Sequence, residues 1–378
     1  MDNVHRVALA GFAIAAGFGA IANKTNFCTM GAVSDWVNMG DKGRLRAWFL
    51  AIGVAILGAQ FMDLKGMINL NHSIYLTTNF GWLGHLLGGL CFGIGMTLAS
   101  GCGQRTLVRV GMGNMKSLVA AMMLAITAYM TLRGLLALPR IDYIEKTNID
   151  LTLHQMTNQS IPSFIVAATG IKNALLVHKV VAMVMGLGFV LFSVGDRDFR
   201  RSFDNMFAGL VIGAAIVGAW YVTGVMGKND FNPVPLESFT FVAPIGDTLE
   251  YLMTYTGSTI NFGIAAMFGM VFGSFVYAIA TRQFRIETFT SKADMLRYLF
   301  GGALMGFGGV LALGCTIGQG VTGMSTLALG SLITLICMIA GSALTQKVQY
   351  YLLDELGIWH AMYSVLVDMH LLPARKAA

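Results

Sequence analysis

Five cysteines lie at Cys28, Cys91, Cys102, Cys315 and Cys337, and three of them share a setting that the other two lack. Cys102 sits in Gly101-Cys102-Gly103-Gln104-Arg105-Thr106 and Cys315 in Gly314-Cys315-Thr316-Ile317-Gly318-Gln319-Gly320, each a glycine-rich polar stretch after a long apolar run. Cys28 ends a third polar interruption, Asn23-Lys24-Thr25-Asn26-Phe27-Cys28-Thr29-Met30-Gly31. Such stretches predict broken helices, and broken backbone at membrane depth is tolerated only inside protein or beside a water-filled cavity. The N–H groups that begin each following half-helix are ready donors for an anion, which the helix dipole favours further. A thiol beside them adds a weak S–H donor and a polarizable surface, suited to an anion that itself carries sulfur. The candidate binding groups are therefore Cys28, Cys102 and Cys315 with Thr29, Gly101, Gly103, Gln104, Gly314, Thr316 and Gln319. Lys24 and Arg105 join them, because a cation at membrane depth is costly unless it faces a cavity or the interface. For Arg105, snorkelling to the surface is the competing reading. Cys91 and Cys337 lie inside apolar runs and read as packing.

No two cysteines have the C-x-x-C spacing of a zinc site or a dithiol redox motif. The 25 methionines are scattered without M-x-x-M clusters and read as pliable helix packing rather than a copper path. Neither a metal, a cofactor nor a catalytic nucleophile is expected.

The elements that position these residues follow from composition. With 56% hydrophobic and only 12% charged residues, the chain has more apolar surface than a soluble domain can bury, so a lipid bilayer must cover part of it. Residues 47–63, 117–138, 176–195, 205–222, 260–280 and 327–345 are each near the roughly 20 residues that cross a bilayer core. The run from Val7 to Ala22 lacks a cleavage site and reads as a retained first crossing. The net charge of +6 is carried in short loops between apolar runs, so it reads as a topology signal and not as a nucleic-acid surface.

Residues 88–102, GGLCFGIGMTLASGC, match residues 301–315, GGALMGFGGVLALGC, at eight of fifteen positions, an internal repeat with an offset of 213. Each copy contains a Gly-x-x-x-Gly spacing, Gly89 with Gly93 and Gly302 with Gly306, which lets helix backbones approach closely. Lys and Arg at 42–46, 197–201 and 282–297 assign those loops to the cytoplasm, and the acidic stretch from Lys228 to Glu250 to the outside. Walking between these anchors gives nine crossings with the N-terminus periplasmic and the C-terminus cytoplasmic. The basic residues of the long loop at 138–175 lie outside against the rule, offset locally by Asp142, Glu145 and Asp150. A lone linker helix at 176–195 makes the two units inverted, the architecture many transporters use to place a site at the midplane. The fold class is thus an all-α polytopic membrane protein, an inverted repeat with broken or re-entrant helices. Its parts are a first repeat over 1–137, an external loop and linker over 138–204, a second repeat over 205–350, and a short helix and tail over 351–378.

The NFC triplet near the N-terminus, LASGC, FGSFVYAIATRQFRIE at 272–287 and GGALMGFGGVLALGCTIGQG at 301–320 together resemble the YeeE/YedE family of bacterial sulfur-transport membrane proteins. The resemblance covers nearly the whole chain. It implies uptake of thiosulfate across the inner membrane without enzymatic turnover, past three cysteines that relay the anion by S–H hydrogen bonds along an hourglass-shaped path. Those roles fall on Cys28, Cys102 and Cys315. It also implies a soluble TusA-like sulfur carrier as partner at the cytoplasmic face. The family often has a basic residue two before the first cysteine, where this chain has Asn26, while Lys24 keeps a basic residue four before it. The alternatives are transport of another sulfur or selenium compound, a membrane thiol oxidoreductase, which needs paired cysteines, and a purely structural subunit.

Overall fold

A computed structural model describes residues 3–154, 156–171, 173–229 and 234–353. Its principal helices are α1 (Asn3–Lys24), α2 (Thr29–Ser34), α3 (Gly43–Leu64), α4 (Trp82–Leu98), α5 (Gly103–Gly111), α6 (Met115–Leu132) and α7 (Ile161–Thr169). They continue with α8 (Ala174–Val194), α9 (Phe203–Tyr221), α10 (Val242–Met253), α11 (Phe262–Ala280), α12 (Lys292–Leu311) and α13 (Leu329–Leu353). The chain is an all-α polytopic membrane protein: among the described residues, eight helical segments are long and apolar enough to cross a membrane. The ninth expected crossing is α12, a 20-residue helix whose first turns carry Lys292, Asp294 and Arg297.

Two expected loops are structured. Within 138–175, Ile149–Asp150 pairs antiparallel with Asn79–Phe80, and α7 starts at Ser160, whose hydroxyl accepts from the Ser163 N–H. The acidic stretch after Lys228 turns inward: residues 234–241 run through the protein without helix, Phe239 and Phe241 are fully buried, and α10 follows. Charge count assigned this stretch to the outer side, where Asp247 and Glu250 do lie, and its alternating phenylalanines fold part of it into the protein. Nearly all of the short helix and tail expected over 351–378, and Asp230 and Lys172, lie outside the described residues.

The repeat is visible in how helices touch. A Cβ built at Gly88 would stand 2.7 Å from the Gly308 carbonyl oxygen, and one at Gly308 would stand 2.6 Å from that of Gly88. Gly95 and Gly301 make the same mutual contact, at 2.7 and 2.8 Å. Rising numbers on α4 meet falling numbers on α12, so the two helices are antiparallel. Gly88 corresponds to Gly301 and Gly95 to Gly308 in the repeat, so each contact is the other with the helices exchanged. Only glycine permits so close an approach. The exchange extends outward: Gly89 and Gly93 of α4 pack on Thr334 and Met338 of α13, as Gly302 and Gly306 of α12 pack on Ala120 and Leu124 of α6. The flanking pairs α1 with α11 and α3 with α9 complete the bundle, while α8 lies against α3 and is largely exposed.

Helix α6 serves as a ruler between the faces, its 18 residues spanning about 27 Å. At its start Lys116 pairs with Asp294 at 2.7 Å, and in its last turn the Tyr129 hydroxyl donates to Asp247 at 2.7 Å and to Glu250. Arg46 pairs with Asp196 at 3.1 Å, and Arg297 reaches the Ser100 hydroxyl at 3.4 Å. Ser100 shares one cavity with Asp41, Arg44 and Asn205. The three basic loops therefore share one face, and Asp247 and Glu250 lie on the other.

Candidate functional site

Each of Cys28, Cys102 and Cys315 follows the same kind of helix ending. Asn26, Ser100 and Leu313, two residues earlier in each case, have φ of 52°, 55° and 59°. Their N–H groups reach back three residues, Asn26 to Asn23 at 3.3 Å, Ser100 to Thr97 at 3.2 Å and Leu313 to Val310 at 3.1 Å. The next N–H reaches back five, Phe27 to Ala22 at 3.2 Å, Gly101 to Met96 at 2.8 Å and Gly314 to Gly309 at 2.8 Å. These are Schellman endings, which satisfy the last carbonyls of a helix inside the protein. A non-glycine residue in the left-handed region costs ~1 kcal/mol or more, so three such residues at matched positions mark places where strain is retained.

The cysteine then opens the next helix. The carbonyls of Cys28, Cys102 and Cys315 accept from the N–H groups of Ala32, Thr106 and Gln319 at 2.9, 2.9 and 2.7 Å. The Cys28 and Cys102 thiols leave the first N–H groups of α2 and α5 uncapped. After Cys315 the chain makes a π-turn, Gly318–Gly323, and the Gly318 N–H lies 3.4 Å from the Cys315 Sγ. The broken helices expected from glycine and polar content are present at all three positions.

The three breaks meet. The Cys28 and Cys102 side chains neighbour one another, and Cys102 neighbours Thr316. A Cβ at Gly103 would stand 3.8 Å from the Cys315 Cβ and 3.9 Å from Leu124 Cδ1. Leu124 is halfway along α6, so Cys102 and Cys315 lie near the middle of the span, and both are fully buried. All five cysteines are free thiols. Cys91 and Cys337 are half-buried within α4 and α13, against Gly308 and Gly89 respectively.

Four buried polar atoms at this meeting point have no hydrogen-bond partner: Thr29 Oγ1, Gln104 Nε2, Arg105 Nη1 and Thr316 Oγ1. Each belongs to one of the first three residues after a break cysteine. A buried unpaired polar group costs about 1–3 kcal/mol, so such a group of them fits a polar occupant. Gln319 is not available in this way. Its amide donates to the Ala312 carbonyl and accepts from Ser331 Oγ at 2.5 Å, bracing the third break from behind. Gly101 and Gly314 complete the Schellman endings.

On the basic face Cys28 lines a cavity of about 650 Å³ with Ser100, Arg105, Arg109 and Arg44. Arg105 Nη2 donates to Asn26 Oδ1 at 2.7 Å, Arg109 Nη1 to the Ser100 carbonyl at 2.8 Å, and Arg44 Nη2 to Asp35 Oδ1 at 2.6 Å. Arg105 thus faces the cavity and brings positive charge to Asn26. Lys24 is directed elsewhere. It lies 3.8 Å from Asp204 at the cavity rim and over the rings of Phe203 and Phe207. Arg44 and Arg109 were not among the sequence candidates, since in sequence each is only one more basic residue near a helix end.

Beyond Cys315, toward the acidic face, lie Tyr75, Thr240 and Glu237. Burial above all, with the Glu237 carboxyl nearby, holds the Tyr75 phenol well above its usual value. Burial, with Asp247 adding repulsion, raises the Glu237 carboxyl to about 7.

A polytopic helical protein whose broken helices gather unpartnered donors at mid-depth has the architecture of a membrane transporter. The chain belongs to the sulphur transport family, YeeE/YedE, whose sequence profile matches residues 24–344. It is 26% identical over 380 residues to the thiosulfate transporter TsuA of Escherichia coli K12, covering 98% of this chain and 96% of that one. It is 23% identical over 334 residues to the thiosulfate transporter TsuA of Spirochaeta thermophila, covering 86% of this chain and 94% of the relative.

Proposed function

We propose that the protein carries thiosulfate inward across a bacterial inner membrane, past Cys315, Cys102 and Cys28 in that order. The observation that carries this reading is the set of unpartnered buried donors on the residues following the three cysteines. A dianion taken from water must find replacement donors, because burial of an unpaired charge is very costly. Backbone N–H groups at the starts of α2 and α5 and the side chains of Thr29, Gln104, Arg105 and Thr316 serve the sulfonate oxygens, and the thiols donate weakly to the terminal sulfur. Weak donors suit a path, since an anion held by strong ones would not leave. Arg105, Arg44 and Arg109 receive the anion in the basic-face cavity. No covalent bond to a cysteine forms, and the protein acts as a transporter without enzymatic turnover.

In this reading the basic face is cytoplasmic, which puts the N-terminus in the periplasm. Residues 1–137 and 205–350 are the two inverted units, joined through the external loop and linker helix of 138–204. The twenty-two positions of α1 and α3 alike then cross the membrane in opposite senses. A TusA-like sulfur carrier at the basic face is the partner that the family resemblance implies, and co-purification with such a carrier from cells would test it.

The test of the reading is uptake of radiolabelled thiosulfate by cells in which this protein is the sole route, with growth on thiosulfate as sole sulfur source beside it. Uptake and growth that depend on the protein are expected. Equal uptake with and without it would end the proposal.

A further inference from the structure

Away from the cysteines, α3 carries a groove on its lipid side. Val54, Phe61 and Leu64 of α3, Met183 of α8 and Val217 of α9 line this cavity of about 730 Å³. Two glycines give it its shape. A Cβ built at Gly53 would stand 2.9 Å from the Gly186 carbonyl oxygen, and one at Gly58 would collide with Val217, so α8 and α9 both press on α3 and leave a furrow between them. Helix α3 runs from Gly43 on the basic face to Leu64 on the acidic face, and the stretch from Val54 to Leu64 covers about 15 Å of its acidic-face half. That is the depth of one leaflet of a bilayer core about 30 Å thick.

The groove is apolar along its length and cationic at its acidic-face end. Lys179 lines it, and Lys65, next after α3, holds its ammonium 5.8 Å from the centroid of the Phe61 ring. Lys179 is the sixth residue of α8, about 8 Å from the helix start, among Leu175, Leu176, Val180 and Met183, each more than half exposed. A lysine on a lipid-facing surface is costly unless its ammonium reaches water or an anion. Among the described residues neither Lys65 nor Lys179 has a carboxylate within ion-pair distance, and no acidic residue lines the groove.

We propose that the groove holds an anionic phospholipid of the acidic-face leaflet, with an acyl chain along α3 between α8 and α9 and the phosphate at Lys179 and Lys65. The leaflet-long apolar furrow suits the chain, and the two unpaired cations suit the headgroup. A lipid seated there braces the linker helix α8 against α3 and α9.

The experiment takes the full-length protein, washed free of lipid in detergent, and follows its melting as dioleoyl phosphatidylglycerol or dioleoyl phosphatidylcholine is added. The two have the same chains and differ in headgroup charge. Phosphatidylglycerol is expected to stabilise the protein at a lower concentration than phosphatidylcholine. Lys179→Gln should raise its half-saturating concentration about fivefold, the share of one lysine at an anionic surface, and Lys65→Gln/Lys179→Gln about 25-fold. Neither should change the response to phosphatidylcholine. Lys146→Gln, in the exposed loop before α7 where Lys146 pairs with Asp142, makes the same change of charge and should leave both responses unaltered. Equal half-saturation for the two lipids, or a wild-type response to phosphatidylglycerol in the double lysine variant, would overturn the site. So would a protein that elutes as a dimer, takes up no added lipid and becomes monomeric in Met183→Arg, since a second copy would then fill the groove. Melting reads neither uptake nor the cysteines, so each of these failures leaves the transport reading intact.

Discussion

Arg105 Nη2 donates to the Asn26 side-chain oxygen across 2.7 Å, so the third residue of the helix opened by Cys102 holds the residue that ends the helix before Cys28. One side chain thereby ties two of the three breaks together and leaves its other terminal nitrogen buried and unpartnered. A lysine could supply the charge but not both directions of donation. Arg105→Lys is expected to lower thiosulfate uptake at least about tenfold, as the loss of a charge-assisted hydrogen bond would. Asn26→Ala should cost less, because the guanidinium can still meet the anion. Wild-type uptake in Arg105→Lys would reduce the residue to a structural tie.

The cysteines divide by position. Alanine at Cys28, Cys102 or Cys315 should abolish growth on thiosulfate, whereas alanine at Cys91 or Cys337 should be tolerated, since those two are half-buried helix packers. Loss of one small side chain at a partly exposed helix interface costs about 1 kcal/mol. Serine at the three break positions should rescue poorly if the sulfur atom itself matters. Equal tolerance at all five positions, scored by growth and by protein level in the membrane, would remove the thiols from the mechanism.

How far the site was legible depends on whether its signal was local. Gly101-Cys102-Gly103 and Gly314-Cys315-Thr316 announce themselves because a glycine-rich polar stretch after an apolar run has few other uses in a bilayer, and both are helix breaks in the structure. Arg44, Arg109, Tyr75 and Thr240 carry no such mark. Arg44 comes from the start of α3, Arg109 from the last turn of α5, Tyr75 from the link between α3 and α4 and Thr240 from residues 234–241, and only packing brings each to its place beside the breaks. Lys24 illustrates the reverse. Four residues before Cys28 it looked like a site cation, yet the helical direction at the end of α1 sends it to Asp204. Helix α10 was hidden because Glu237, Asp247 and Glu250 gave its surroundings the charge of a surface loop, although Tyr129 receives two of those carboxylates from within the bundle. The match of 88–102 with 301–315 was visible in its glycines, whereas the antiparallel contact of the two copies shows only in how Gly88 and Gly95 meet Gly308 and Gly301.

Glu237 sets a pH dependence of stability. Its carboxyl is raised from 4.5 to about 7 by burial, with Asp247 the nearby charge and Tyr75 the other titratable group beside it. Between those values the folded protein holds a proton that the unfolded chain has released, so stability falls as pH rises through that window. Glu237→Gln removes the titration. Melting of the detergent-solubilised protein should therefore show wild type losing a few degrees relative to Glu237→Gln between pH 5 and pH 8, since each kcal/mol shifts melting by about 2–4 °C in chains of roughly 150–250 residues and by less in a longer one. Parallel curves for the two proteins would show that Glu237 ionises freely.

The reciprocal glycines of α4 and α12 give the last prediction, a test of the two-fold relation itself. Gly88 meets Gly308 and Gly95 meets Gly301, each with hypothetical Cβ distances of 2.6 to 2.8 Å to a carbonyl oxygen. Contacts that close leave no room for a methyl group, so Gly88→Ala must push the helices apart, a change that typically costs about 1–3 kcal/mol. Because the two contacts are copies, Gly301→Ala should cost about as much as Gly88→Ala, and Gly95→Ala about as much as Gly308→Ala. The double variant Gly88→Ala/Gly308→Ala should cost less than the sum of its singles, since one separation of the helices relieves both clashes. Gly17, whose added Cβ would meet nothing within 4 Å, provides the control and should accept alanine without loss. Melting temperatures in one detergent decide the matter: additive losses, or a large loss at Gly17→Ala, would mean that glycine acts here through backbone flexibility and not through the shared contact of the two repeats.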